Sequence, residues 1–174
     1  MIMAKKVRGS ILNGFIKFIK RTWGKDGRDA FMQETGIDIN SISKRKWYPV
    51  EYLQKIHGWI GDKDEKYLRR AGRYTVQDLG ILSYLVRFTS IESLLKKAPK
   101  SYEDAFSYGD VDIEVGEKEA LVKMKDVVID EFTCAAWHGV FEGSLEATDT
   151  EGSVEPIDHE EKGEKDCFFK MKWY

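Results

Sequence analysis

The hydrophobic repeat of this chain changes period at Tyr108-Gly109, and that change limits the folds open to it. Before it, apolar residues recur every three to four positions, as on one face of a helix; after it, they alternate. A chain that is helical first and stranded afterwards belongs to the α+β class, with helices packed against an antiparallel sheet.

On the helical side, Ile11, Phe15, Phe18 and Ile19 predict a helix over 9–23 stopped by Gly24, followed by a short helix around 26–35 closed by Gly36. Residues 37–46 read as a polar loop. Pro49 suits a first helical position and opens a helix near 49–60 carrying Leu53, Ile56 and Ile60. A long helical pattern covers 63–87 through Leu68, Ala71, Val76, Leu79, Leu82, Leu85 and Val86. Gly72 and Gly80 inside it each cost about 1 kcal/mol relative to alanine unless close packing needs them. Thr89-Ser90-Ile91-Glu92 is a capping box for a helix that ends before Pro99, with one more short helix over 99–108.

On the other side, Val111, Ile113 and Val115 alternate with acids, and Ala120, Val122 and Met124 alternate with Leu121, Lys123 and Lys125. This predicts an antiparallel pair turned at Gly116-Glu117. Helical spacing returns over 132–147, where Gly139 and Gly143 share a face that admits a neighbouring backbone, within the core or across subunits. Two last strands, near 153–159 and 166–173, meet at Gly163. The chain is read as a single domain over 1–174, its helical part about 9–108 and its sheet with one inserted helix about 109–174.

Hydrophobic content of 42%, aromatic content of 13% and three prolines are globular values. A net charge of −2 points to neither nucleic acid nor an anionic membrane. Lysines and arginines crowd residues 1–28 against the one acid Asp26, which reads as a solvated helix face. No apolar run approaches the roughly 18 residues needed to span a bilayer. With two cysteines and no secretory leader pattern, a cytoplasmic protein with reduced thiols is expected.

For catalysis the chain offers no Gly-x-Ser-x-Gly elbow, no P-loop and no His-Glu-x-x-His pair, so no catalytic residue is named and an enzyme is not expected. His57, between Ile56 and Trp59, is a helical histidine of the kind that can ligate haem iron, or a buried or surface histidine. Trp47, Tyr48, Tyr52, Trp59, Tyr67, Tyr74, Tyr84 and Phe88 either line a pocket for a flat apolar ligand or simply form core. Cys134 and His138 stand at i and i+4, while His159 and Cys167 flank Gly163. Together they offer thiolate and imidazole ligands for a structural zinc, with Glu155 or Asp158 as an oxygen ligand. The alternative is cysteines that merely pack.

Cys134-x-x-Trp137-x-Gly139-x-x-x-Gly143, then His159-x-x-x-Gly163-x-x-x-Cys167-x-Phe169 and Trp173, resembles the 4-vinyl-reductase-like domain. Gly9-Ser10, Lys17-Phe18 and Trp47-Tyr48-Pro49 resemble a related myxobacterial-type group. The resemblance implies the fold shared by haem–nitric-oxide-binding sensors and TRAPP tethering subunits, in which helices and a bent antiparallel sheet enclose an apolar pocket. Tyr84 and Phe88 would line that pocket. In phenol-sensing regulators of this superfamily a structural zinc is held by an upstream Cys, a Glu-x-x-Cys and a further Cys. By that pattern Cys134, His159 and Cys167 are the zinc ligands here, with Glu155 or His138 as the fourth, since Pro156 stands where the Glu is expected. Haem-binding relatives use a helix histidine beyond the long helix; residues 89–108 have none, which argues against haem.

The function expected is a stand-alone sensor domain binding a hydrophobic small molecule, homodimeric and signalling through a protein partner. The alternative is a non-enzymatic assembly protein of the tethering-subunit type.

Overall fold

The computed structural model describes residues 3–77 and 89–174. In chain order these form β1 (Lys6–Arg8), α1 (Gly9–Thr35), a 3₁₀ turn (Ile39–Ser41), β2 (Trp47–Pro49), α2 (Glu51–Gly61) and α3 (Lys66–Gln77). There follow α4 (Ile91–Ala105), β3 (Asp110–Val115), β4 (Glu119–Lys125), α5 (Thr133–Ala147), β5 (Gly152–Pro156) and β6 (Cys167–Trp173). Apart from β1 and β2, helix gives way to sheet where the hydrophobic period changes.

The two predicted N-terminal helices are one element broken by a kink at Gly24, whose φ of 67° and ψ of −158° leave the helical region. Gly36 closes it in the left-handed conformation, φ 72°, with its N–H on Met32 O. The polar reading of 37–46 hides three buried anchors, Ile37, Ile39 and Ile42, which pin this connection to the core.

Pro49 ends a strand rather than opening a helix. Trp47, Tyr48 and Pro49 pair with Arg8, Val7 and Lys6, and a proline at a strand end has no ladder donor to lose. Arg8 holds the ribbon: its guanidinium lies 4.1 Å over the Trp47 ring and donates to Arg45 O and Asp104 O. Val7 also bridges Phe106 and Lys6 O accepts from Ser107 N, so β1 ties the chain start to the end of α4. Three residues are too few for a period to reveal.

The helix expected to stop before Pro99 runs through it. Proline withholds one hydrogen bond from Leu95 O, and the buried stripe of Ile91, Leu95 and Tyr102 keeps the helix continuous. Its cap is Ser90, which accepts from Ser93 N at 3.2 Å.

The main sheet has strand order β3-β4-β6-β5, antiparallel throughout. Register places Ile113, Val122 and Phe169 side by side, and Val115, Ala120, Met171 and Val154 likewise, on the face that carries the helices. On the opposite face Lys123 bridges Glu114 and Glu161 at 3.3 and 3.1 Å. Above the sheet, α3 and α5 run parallel at very close range. A Cβ on Gly139 would collide with Arg69 O and stand 2.8 Å from Arg73 N; one on Gly72 would collide with Ala136 O. The Gly139–Gly143 face is thus used within the chain, against α3.

Candidate functional site

α2 meets the start of α5 through a buried polar cluster. Gln54 and His57, three apart on α2, face the 129–133 segment. Gln54 Nε2 donates to Ile129 O at 2.7 Å, and His57 Nδ1 lies 2.9 and 3.1 Å from the two Asp130 oxygens. Asp130 Oδ1 also accepts from Phe132 N and Thr133 Oγ1, both at 3.0 Å. The carboxylate therefore braces the turn that leads into α5 and holds the imidazole in one orientation.

His57 is only 2% exposed. Among the described residues, its Nε2 is the buried side-chain nitrogen or oxygen left without a hydrogen-bond partner. An orphan of this kind costs about 1–3 kcal/mol, which makes it a place where a ligand is expected. Phe15 stands edge-on, ring centroids 5.2 Å apart, and Ile56 and Ile60 are fully buried beside it in sequence. Near the cluster, burial and then the Asp130 charge push the Tyr108 hydroxyl pKa upward, so Tyr108 stays neutral. Sequence reasoning singled out His57 but missed Asp130 and Thr133; Asp130-x-x-Thr133 at a helix start was the available signal.

The zinc ligand set is not assembled. Cys134 and Cys167 do converge, but as a disulfide with Cα atoms 5.5 Å apart, joining the first turn of α5 to the start of β6. Neither cysteine is free, so the expectation of reduced thiols is corrected as well. His138 Nε2 lies 2.8 Å from Val154 O, and His159 Nδ1 accepts from Glu161 N at 3.2 Å. Glu155 is exposed, opposite Lys170 in the β5–β6 ladder. Among the described residues no group of three or more His, Cys, Asp or Glu side chains could hold a metal ion. A sulfur bonded to sulfur is no longer the thiolate that zinc requires.

Tyr84 and Phe88, the predicted pocket lining, lie outside the described residues. Two surface clefts, about 530 and 300 Å³, follow the α3–α5 seam; they are lined by residues such as Gln77, Glu146 and Asp149, and neither reaches His57. The aromatic residues that are described mostly form core. Trp23 meets Trp59, Tyr67 and Phe18 at 5.3, 5.0 and 5.8 Å between ring centroids, and Phe31 meets Trp59 at 5.7 Å.

Along the seam Arg69 and Glu142 form a two-pronged ion pair, with Arg73–Glu146 one turn on. Burial alone would raise the Glu142 pKa, but Arg69, then His138 and Arg73, bring it below its ordinary 4.5. A depressed folded-state pKa stabilises the fold above the unfolded value and ceases to do so as pH falls through the folded one. Glu142→Gln should therefore flatten the fall in melting temperature on acidification below pH 4.5. Thermal melts of both proteins from about pH 7 to pH 3 check it, and parallel curves would refute it.

A family model described as "Protein of unknown function (DUF2378)" matches residues 53–174. The chain belongs to that family. No curated protein matches it. Among solved structures, it is similar to an oxygen-binding H-NOX domain related to soluble guanylate cyclases, in its oxygen complex. The TM-score is 0.74 and identity 15%, over 95% of this chain and 94% of that one. A mutant H-NOX from T. tengcongensis gives a TM-score of 0.73 at 16% identity, over 95% and 97%. A structure concerned with modulating haem redox potential through porphyrin distortion gives 0.72 at 15%, over 95% and 98%. The fold of this DUF2378 member is thus the H-NOX fold.

That finding overturns the argument against haem. The argument looked for a histidine only within residues 89–108, whereas the shared fold is one that holds haem in solved structures. His57 lies elsewhere, on α2, with its buried Nε2 unpartnered.

Proposed function

We propose that this chain is a small-molecule sensor domain whose ligand is a haem, or a comparably flat and apolar molecule, held between the helices and the sheet. The observation that carries the reading is the near end-to-end likeness to an oxygen-binding H-NOX domain. The comparisons lend no support to the tethering-subunit reading. In this proposal Tyr84 and Phe88 line the apolar pocket, the domain performs no reaction of its own, and its signal passes to a protein partner or across a homodimer. Haem, when bound, would supply an iron centre able to take a diatomic gas; the chain's task would be to bind it and exclude water.

Titrating the purified protein with haemin tests this reading. We expect a saturable Soret band at one haem per chain and a rise in melting temperature from ligand linkage. A titration indistinguishable from free haemin in buffer would remove haem from the proposal. Sedimentation at micromolar concentration tests the homodimer, and a 20.1 kDa species would count against it.

A further inference from the structure

We infer that the free edge of β3 is a docking site for an extended segment of a partner protein, one that alternates lysine or arginine with apolar residues and adds a strand to the sheet. The inference gives a surface to the protein partner of the sensor reading. It is tested without ligand, so either can fail alone.

The sheet order β3-β4-β6-β5 leaves two edges, and they differ. In β5 the pairing phase follows from Tyr174 N donating to Glu151 O, which turns the backbone groups of Gly152, Val154 and Pro156 outward. That edge is interrupted: Val154 O accepts from His138 Nε2 at 2.8 Å, and Pro156 has no N–H to offer. In β3 the phase follows from Gly116 N donating to Glu119 O at 2.8 Å. Val111, Ile113 and Val115 therefore turn their N–H and C=O groups away from β4. Among the described residues these outward groups have no hydrogen-bond partner. An edge with such a row unpaired is a template for another strand.

The side chains decide which strand fits. Val111, Ile113 and Val115 share the face that carries the helices, where Ile113 and Val115 stay half-buried; Asp110, Asp112 and Glu114 are exposed on the other face. On its bonded side β3 already shows the complement it takes. Asp110 stands opposite Lys125 and Asp112 opposite Lys123, alternating with Met124 and Val122. Lys123 reaches Glu114 and Glu161, and among the described residues Asp110 and Asp112 enter no ion pair. A strand patterned like β4 suits the free side too, with basic residues beside the carboxylates and apolar ones covering Ile113 and Val115. A second copy does not. Antiparallel registers that pair Ile113 with Val111, Ile113 or Val115 of another β3 set Asp112 against Asp112, Asp112 against Glu114, or Glu114 against Glu114. Like charges directly opposite destabilise a ladder, so the acids deter self-pairing while selecting a basic strand.

The test is amide exchange read by NMR on the full chain. In the free protein Val111, Ile113 and Val115 should exchange fast, while Asp112 and Glu114 are protected. The probe is a peptide alternating lysine with valine, about eight residues long to match a strand. It should bind saturably and protect those three amides. A peptide with glutamate in place of lysine should bind about tenfold more weakly or worse. The lysine peptide N-methylated at its valines, whose N–H groups face β3, should not bind. Ile113→Pro, which removes an outward donor and no β4 hydrogen bond, should abolish the protection, and Asp112→Lys should weaken binding; circular dichroism establishes folding. If Ile113→Pro does not fold, the N-methylated peptide carries that arm on the wild type. Binding that leaves the three amides unprotected, equal binding of the glutamate peptide, or no saturable binding of the lysine peptide at millimolar concentration overturns the inference. A dimer that protects the same three amides without peptide overturns it as well.

Discussion

Gly139→Ala should destabilise the protein by about 3 kcal/mol or more, although alanine in a helix ordinarily gains about 1 kcal/mol over glycine. The reason is contact with backbone. The new methyl would collide with Arg69 O and stand 2.8 Å from Arg73 N on α3. A main-chain carbonyl cannot rotate away, so α3 and α5 must separate and strain the Arg69–Glu142 and Arg73–Glu146 pairs that cross the seam. Gly58→Ala is the internal control. It sits inside α2 with nothing within 4 Å of an added Cβ, and should stabilise by about 0.5–1 kcal/mol. For a chain of this size the melting temperatures should fall by about 6–12 °C and rise by a few degrees, respectively. Equal shifts of the two variants would refute the packing account.

Cys167→Ser should cost roughly 3–4 kcal/mol, the loop-closure entropy expected for a cross-link spanning 33 residues. Most of that effect arises in the unfolded chain, which the bridge between α5 and β6 otherwise restricts. A reductant should reproduce the loss in the wild type, and a chelator should leave its melt unchanged. Chelator-sensitive stability with release of zinc would show that the two sulfurs are metal ligands after all.

How much of this was legible in the sequence follows from the range over which each signal acts. Helix and strand periods are local, so β3, β4, α5 and β6 were foreseen in place and type; α1 is one kinked helix where two were expected, and of the helix expected over 63–87 the described residues show Lys66–Gln77, 78–87 lying outside them. Gly139 and Gly143 were rightly marked for a close approach, because small residues four apart on a helix have few other uses. Pairing between distant segments was not legible. β1 and β2 are three residues each and exist only because Lys6–Arg8 meets Trp47–Pro49. Pro99 was read as a stop because its local cost is visible, whereas the burial of Ile91, Leu95 and Tyr102 that offsets it is not.

The candidate site shows the same division. Cys134 and Cys167 were rightly brought together, but spacing cannot distinguish two sulfurs bonded to each other from two that share a zinc ion. His57 was noticed as a helical histidine; its partner Asp130 lies 73 residues away, and only the fold makes them neighbours. Haem was set aside on the composition of one segment, an argument that a shared fold at 15% identity overrides.

Native mass spectrometry of the protein, freshly purified from cells supplied with a haem precursor, tests the central claim most directly. The account predicts a 20.1 kDa chain with one haem retained non-covalently, its cysteines oxidised by the loss of two hydrogens and no metal other than the haem iron. A bare chain that also fails to take up added haemin would contradict it.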